Sequence, residues 1–464
     1  MGIRIGLGKN LWWRPGSGDS RTRKKRTGVL PVLAAFVLGI TGFGIGGQPV
    51  KAAEVALNKA NFPDDTFRSA VKEQLDIDKN SVLSEQEIAR GRKLSLVGET
   101  EVALSAKTDK RKKLDVTGLH ILTGLRQLTI SGWKLSGLNL EGLAELQKVS
   151  VSYDDLSELS VKGLTQLKEL DCSDNMISSL VLSGNRKLVR LECSRNELKE
   201  LHVSKLTKLR TLHCSDNHIT TLAVHNLKNL KVLVCMGNRI ENLALPHAAG
   251  LRKLRCGYNF LTKLSVWGNP ALRILDCSGN DIRSLNLTRN KQLVDLDVDN
   301  NQLTSLWVAG CRNLEILECS DNQITSLDVR KLSELKILKC SNLPIASLDL
   351  SGNGTLEELY ARGLTLTEWN LSAQKKLRIL NCMNGKLTSL DLSHCTNLKN
   401  LNCANNQLEN LDLSACVKLR TGETKYFRFT GNPLKSIKVA ADTCEEDSEN
   451  EELATELGIA WTAE

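Results

Sequence analysis

The chain has 464 residues with 14 cysteines, 4% aromatic residues and a formal net charge of +9. The charge is unevenly placed: residues 1–52 carry nine Lys and Arg against Asp19 alone, whereas residues 441–464 carry nine acids and no base. Between them both signs are interspersed, which excludes the clustered basic face that a nucleic-acid partner requires.

The leader follows the order of an export signal: a basic stretch from Arg21 to Arg26, an apolar run from Val29 to Ile45, then Val50-Lys51-Ala52. Residues 1–52 therefore read as a signal peptide. Pro31, Gly39, Gly42 and Gly44 interrupt the short apolar run. That argues against a retained transmembrane helix, so the mature chain is expected outside the cell, with no transmembrane segment.

Residues 53–100 differ in character from the rest of the chain and read as an α-helical N-terminal cap. A helix is expected through Phe67, Val71 and Leu75, which share one face, with Pro63 near its start. The segment Asp76-Ile-Asp-Lys-Asn-Ser-Val-Leu-Ser-Glu-Gln-Glu87 then matches an EF-hand loop. In that reading Asp76, Asp78, Asn80 and the Val82 carbonyl supply oxygens, Ser84 acts through water, and Glu87 closes the site with two oxygens around calcium. Ser81 stands where the loop normally has Gly, at a cost of about 1 kcal/mol. The competing reading is a helix–loop–helix whose acids merely cap the second helix, which is expected to begin near Glu85.

From residue 101 to 440 one phrase repeats every 21 residues. Stepping from Cys172 reaches Cys193, Cys214, Cys235, Cys256, Cys277, Val298, Cys319, Cys340, Ala361, Cys382 and Cys403, and stepping back reaches Val151 and Ile130. A fifteenth turn comes after a few extra residues, with Phe427 and Phe429 in the Leu and Cys positions. In the phrase LxxLxCxxN, the second Leu and the Cys alternate with an outward residue, the pattern of a short strand buried on one face. Asn175, Asn196, Asn217, Asn238, Asn259, Asn280, Asn301, Asn322 and Asn406 recur after the strand, where an amide can satisfy turn groups that have no strand partner. The second half of the repeat is too short for a long helix. The fold class is thus a solenoid of about 15 turns with a curved parallel β-sheet on its concave face and an extended or 3₁₀ outer wall, ending in an acidic tail at 441–464.

The spacing and the inward Cys resemble the bacterial leucine-rich-repeat proteins of the internalin J type. That resemblance implies an extracellular bacterial protein that adheres to host molecules. Proteins of that type carry a wall-sorting signal, which is missing from the end of this sequence.

The ladder cysteines should be free thiols. Their neighbours lie on adjacent in-register strands about 4.8 Å apart with parallel Cβ vectors, unsuited to disulfides. A line of thiols also cannot converge on one zinc ion. Cys311, Cys395 and Cys416 fall instead at the outer-wall position held elsewhere by Asn185, Asn269, Asn290 and Asn353, while Cys444 lies in the tail, where a bond to Cys395 or Cys416 is the alternative to a free thiol.

The outward residues beside the inward Leu and Cys define the candidate ligand-binding face. Asp276, Asp297 and Glu318 fall on consecutive turns, flanked by Asp295 and Asp299, with Arg255 and Tyr258 on one side and Lys339 and Tyr360 on the other. Such a row reads either as a solvated stripe or as the seat of a basic partner. Trp267 and Trp307 are placed outward on the outer wall, and Trp369 at a core Leu position. His202, His213, His218 and His225 disperse by repeat position, and no catalytic motif is found. The expectation is a monomeric, non-enzymatic solenoid that binds a protein or other macromolecule. A self-assembling surface protein and a secreted effector or inhibitor are the alternatives.

Overall fold

The computed structural model describes residues 54–98, 111–135, 137–246, 248–419, 426–440 and 449–463. The signal-peptide reading of 1–52 and Cys444 lie outside them.

Among the described residues, sixteen strands form one parallel sheet, from Lys93–Val97 to Phe427–Arg428. The repeat fixes its register. Leu212 stands opposite Leu233, Leu254 opposite Leu275 and Leu317 opposite Leu338, so each inward Leu stacks on its counterpart one turn away. Leu401 faces Phe427 across the last pairing, which confirms the fifteenth turn and its extra residues. The sheet begins before residue 101: Leu94 and Leu96 are already inward, and Lys93 pairs with Gln127.

The outer wall is extended. Each turn closes on an i→i+3 hydrogen bond, such as Leu188 N to Asn185 O (3.0 Å) or Leu293 N to Asn290 O (3.1 Å). Leu119–Ile121 forms a 3₁₀ turn, and short parallel pairs such as Glu200–Leu201 with Thr221–Leu222 reinforce the wall. Between wall and sheet lies a single apolar core running along the solenoid, in which each fully buried Leu contributes about 2 kcal/mol.

Both ends of that core are covered. Helix α1, Asp65–Leu75, is capped by Asp64 and buries Phe67, Val71 and Leu75. Its Gln74 side chain donates to Ser95 O and accepts from Ser95 N, both at 2.9 Å, occupying the first strand's edge as a neighbouring strand would. Helix α2, Glu85–Arg90, begins at Glu85 as expected, is capped by Ser84, and lies so close to Gly124 that a Cβ there would come within 2.1 Å of Ile88 O.

At the other end the tail is more than an acidic extension. Helix α3, Glu449–Glu456, places three acids in its first turn, where the helix dipole favours them. Strand Ala460–Ala463 then pairs with Ser436–Val439, and Trp461 stacks 6.4 Å from Phe427. The tail thereby covers the last turn of its own chain. No helix among the described residues is long and apolar enough to cross a membrane.

Candidate functional site

The repeat builds four parallel columns, and their chemistry decides which of them can meet a ligand. Cys172 through Cys403 occupy the first, every one at most 2% exposed and without a disulfide. Burial pushes the thiols well above their ordinary range, to about 12 at Cys235, so the column is packing rather than nucleophile or ligand. Val298 and Ala361 serve equally well in it.

The second column is the asparagine ladder. Asn196 donates through Nδ2 to Cys172 O (2.9 Å) and Cys193 O (3.2 Å), while its Oδ1 accepts Ile177 N–H (2.9 Å). Neighbouring turns repeat this arrangement, which ties each turn to the one before it. Leu343, Leu364 and Gly385 interrupt the ladder, and one further position carries a charge in place of the amide. Asp154 stands in the ladder fully buried, accepts Trp133 N–H at 3.0 Å, and leaves its second oxygen without a partner. Burial raises its pKa to about 7.

A third column lies on the outer wall. Asn185, Asn269, Asn290 and Asn353 are buried there and donate to carbonyls of the preceding turn, as Asn353 Nδ2 does to Leu332 O at 2.9 Å. Cys311, Cys395 and Cys416 hold the same position as Asn substitutes, each at most 1% exposed, and Cys311 Sγ donates to Asn290 O at 3.6 Å. All three are free thiols.

The fourth column was not visible in the repeat phrase. The residue before each ladder Asn has a left-handed backbone: Asp174, Arg195, Asp216, Gly237, Tyr258, Gly279, Asn300 and Asp321 among others. Gly, Asn and Asp tolerate this conformation. Tyr258, at φ 54° and 63% exposed, does not do so without strain. Gly279 gives it room, since a Cβ there would meet the Tyr258 ring at 2.9 Å.

Beside Tyr258 the structure gathers the predicted concave residues. Arg255 stands opposite Asp276, Asp276 opposite Asp297, Asp297 opposite Glu318, Glu318 opposite Lys339 and Lys339 opposite Tyr360. The acids are less solvated than alternation alone implies: Asp276 is 9% exposed and Glu318 8%. Asp297, Asp299 and Glu318 bring carboxylate oxygens within 4.8 Å of one another. Asp297 Oδ1 accepts Asp299 N–H (3.0 Å), Asp276 Oδ1 accepts from Ser278 Oγ (2.8 Å), and Lys339 Nζ lies 3.0 Å from Glu318 Oε2.

Burial first, and then the Asp276 and Asp299 charges, raise Asp297 to about 8; burial raises Asp299 to about 7. The Tyr258 phenol is raised by burial and then by the Asp297, Asp276 and Asp299 charges. Lys339 also lies 5.9 Å from the Tyr360 ring centroid, and Tyr360 OH donates to Glu358 at 3.1 Å. Asp295 is half-buried on the parallel outward row. The patch is an acid cluster framed by aromatics and two bases.

Other candidates separate as expected. His213 pairs with Glu192, His218 with Glu197 and His202 with Glu200, on different turns. Trp307 is 77% exposed, Trp267 is 46% exposed beneath Arg289, and Trp369 is 7% exposed in the core.

In the cap, Asp76, Asp78 and Glu87 converge, with carboxylate oxygens within 4.8 Å. Glu87 Oε1 accepts Ile77 N–H (2.8 Å), Oε2 accepts Ser84 N–H (2.9 Å), and Ser84 Oγ accepts Glu87 N–H (3.2 Å). The hydrogen bond from Ser84 N–H leads the causes that lower the Glu87 pKa, keeping it ionised.

Sheet, wall and ladders together define a leucine-rich-repeat solenoid. A model of that family, Leucine Rich repeats (2 copies), matches residues 207–247, and no curated protein matches the chain. Among solved structures, the chain is similar to the functional domain of InlJ from Listeria monocytogenes, which includes a cysteine ladder, at 27% identity and a TM-score of 0.63 over 84% of this chain and 82% of that one. The internalin InlF of the same organism aligns at 22% identity and TM-score 0.60 over 75% and 97% of the two chains. A leucine-rich-repeat protein of Leptospira interrogans aligns at 21% and 0.56 over 81% and 90%. The chain thus has the leucine-rich-repeat fold, built from 21-residue repeats with a buried cysteine ladder, and in this it is similar to the InlJ domain.

Proposed function

We propose that the chain is an extracellular bacterial adhesin or host-interaction protein whose concave face binds a protein partner at the turns around Tyr258. One observation carries this reading: a strained, exposed Tyr258 beside the mutually close Asp297, Asp299 and Glu318 carboxylates. The left-handed backbone belongs to the repeat, but a tyrosine at that position and a close set of acids are not needed by it. Left-handed tyrosine and like charges on adjacent strands both cost stability, and such costs concentrate where a surface is used. The similarity to InlJ supports the class of role.

The partner presents a basic side chain to the acid cluster and an apolar or planar group to Tyr258, since Tyr combines a large contact area with few rotatable bonds. Its affinity falls as salt is added. It also rises between pH 6 and pH 8: Asp297 holds a proton up to about 8 in the free chain, and binding a cation requires that proton to leave.

The test is a pull-down with the purified chain against extracellular host proteins, followed by affinity measurements at both pH values. A captured partner whose affinity does not change with pH or salt would contradict the acid cluster as its seat. Failure to capture any host protein would contradict the adhesin role.

A further inference from the structure

We infer that the loop between α1 and α2 is a calcium site, with the ion clamping the N-terminal cap onto the first turn of the solenoid. The capping reading accounts for Ser84 and Glu87, whose side chains satisfy the start of α2. It does not account for Asp76. This residue is 4% exposed, its Oδ2 accepts Ser81 N–H at 3.0 Å, and its Oδ1 is buried with no hydrogen-bond partner. A buried carboxyl oxygen left without a partner is expensive, and a cation would satisfy it.

The neighbours supply the rest of a coordination sphere. Asp76, Asp78 and Glu87 place oxygens within 4.8 Å of one another, which is about twice a calcium–oxygen distance of roughly 2.4 Å. Asn80 and the Val82 carbonyl lie between them in sequence, at the loop positions that add a side-chain and a main-chain oxygen, with Ser84 reaching through water. The chain is already bent around this centre: Lys79 and Ser81 are left-handed at φ 61° and 67°. Val82–Leu83 pairs antiparallel with Val55–Ala56, which anchors the loop to the start of the described chain. A flexible, carboxylate-rich sphere suits calcium better than magnesium, which demands a tighter octahedron and keeps its waters.

The site has a structural consequence. α1 carries Phe67, Val71 and Leu75 into the core, and Gln74 satisfies the edge of strand Lys93–Val97. An ion that fixes α1 against α2 fixes the cover of the first turn, and a ligand that binds only the folded state raises its stability by mass action.

The experiment uses the full chain, stripped with EDTA and titrated with calcium chloride, read by calorimetry and by thermal unfolding. The expected result is a single site and a Tm that rises with calcium. Asp78→Ala, compared with its own calcium-free Tm, loses the calcium-dependent rise, and Ser81→Gly tightens binding a few-fold by relieving the left-handed backbone. The inference is overturned if the wild-type chain shows neither heat nor a Tm shift up to about 10 mM calcium, beyond the range of extracellular calcium modules. It is equally overturned by Asp78→Ala binding as tightly as wild type.

Discussion

Tyr258 holds a backbone conformation that costs an L-residue other than Gly, Asn or Asp about 1–2 kcal/mol, at a position where Gly237 and Gly279 serve on the adjacent turns. Tyr258→Gly is therefore expected to raise stability by up to about 1 kcal/mol once glycine's greater unfolded-state freedom is subtracted, seen as a higher denaturant midpoint. Asp154 is a second misfit. It occupies an asparagine position with no solvent, and its pKa of about 7 lies above the ordinary carboxylate value.

A raised carboxylate pKa means that the folded chain holds a proton the unfolded chain has released. Asp154 therefore lowers stability progressively as pH rises from about 4 to about 7, and the loss persists above that. Asp154→Asn restores the amide donor of the ladder. It should raise stability by about 1–2 kcal/mol at pH 8 and have little effect at pH 4, measured by urea unfolding at the two pH values. Neither misfit was evident from the repeat phrase. The column of Tyr258 is occupied by Tyr, Asp, Arg, Gly and Asn in turn, so its constancy is in backbone angle and not in residue type. Asp154 could have been found by one more step of 21 back from Asn175.

At the scale of the repeat, the asparagine ladder joins turns that the sheet alone leaves loosely closed. Asn238 Nδ2 donates to Cys214 O (2.9 Å) and Cys235 O (3.2 Å), and Oδ1 accepts Ile219 N–H (3.0 Å). Asn238→Ala strands buried groups on two turns and is expected to cost about 2–4 kcal/mol, read from equilibrium unfolding. The inward Leu, Cys and Asn of each turn were legible because one spacing of 21 residues sets them all, and hydrogen bonding and packing both repeat with it. The acid row was placed correctly in sequence, but its burial was not legible. Alternation says which face a side chain leaves from, whereas the closeness of Asp297, Asp299 and Glu318 depends on the curvature and neighbours of three turns together.

In the molecule as a whole, a solenoid is a line of nearest-neighbour contacts that must be stopped at both ends. The N-terminal stop could be read from the apolar face of α1. The C-terminal stop could not, because composition made residues 441–464 look solvated while Ala454, Ile459 and Trp461 do the covering. Between the stops, the fold commits its inward columns to packing, and the proposed partner recognition is assigned to the outward residues of the turns around Tyr258.

The most direct test compares wild type and Tyr258→Gly for binding to the captured host partner, with both proteins confirmed as folded by thermal unfolding. The proposal predicts that the variant is at least as stable as wild type and binds at least tenfold more weakly, a loss of about 1.4 kcal/mol of the kind an interfacial aromatic supplies. A variant that is folded and binds with wild-type affinity would contradict it.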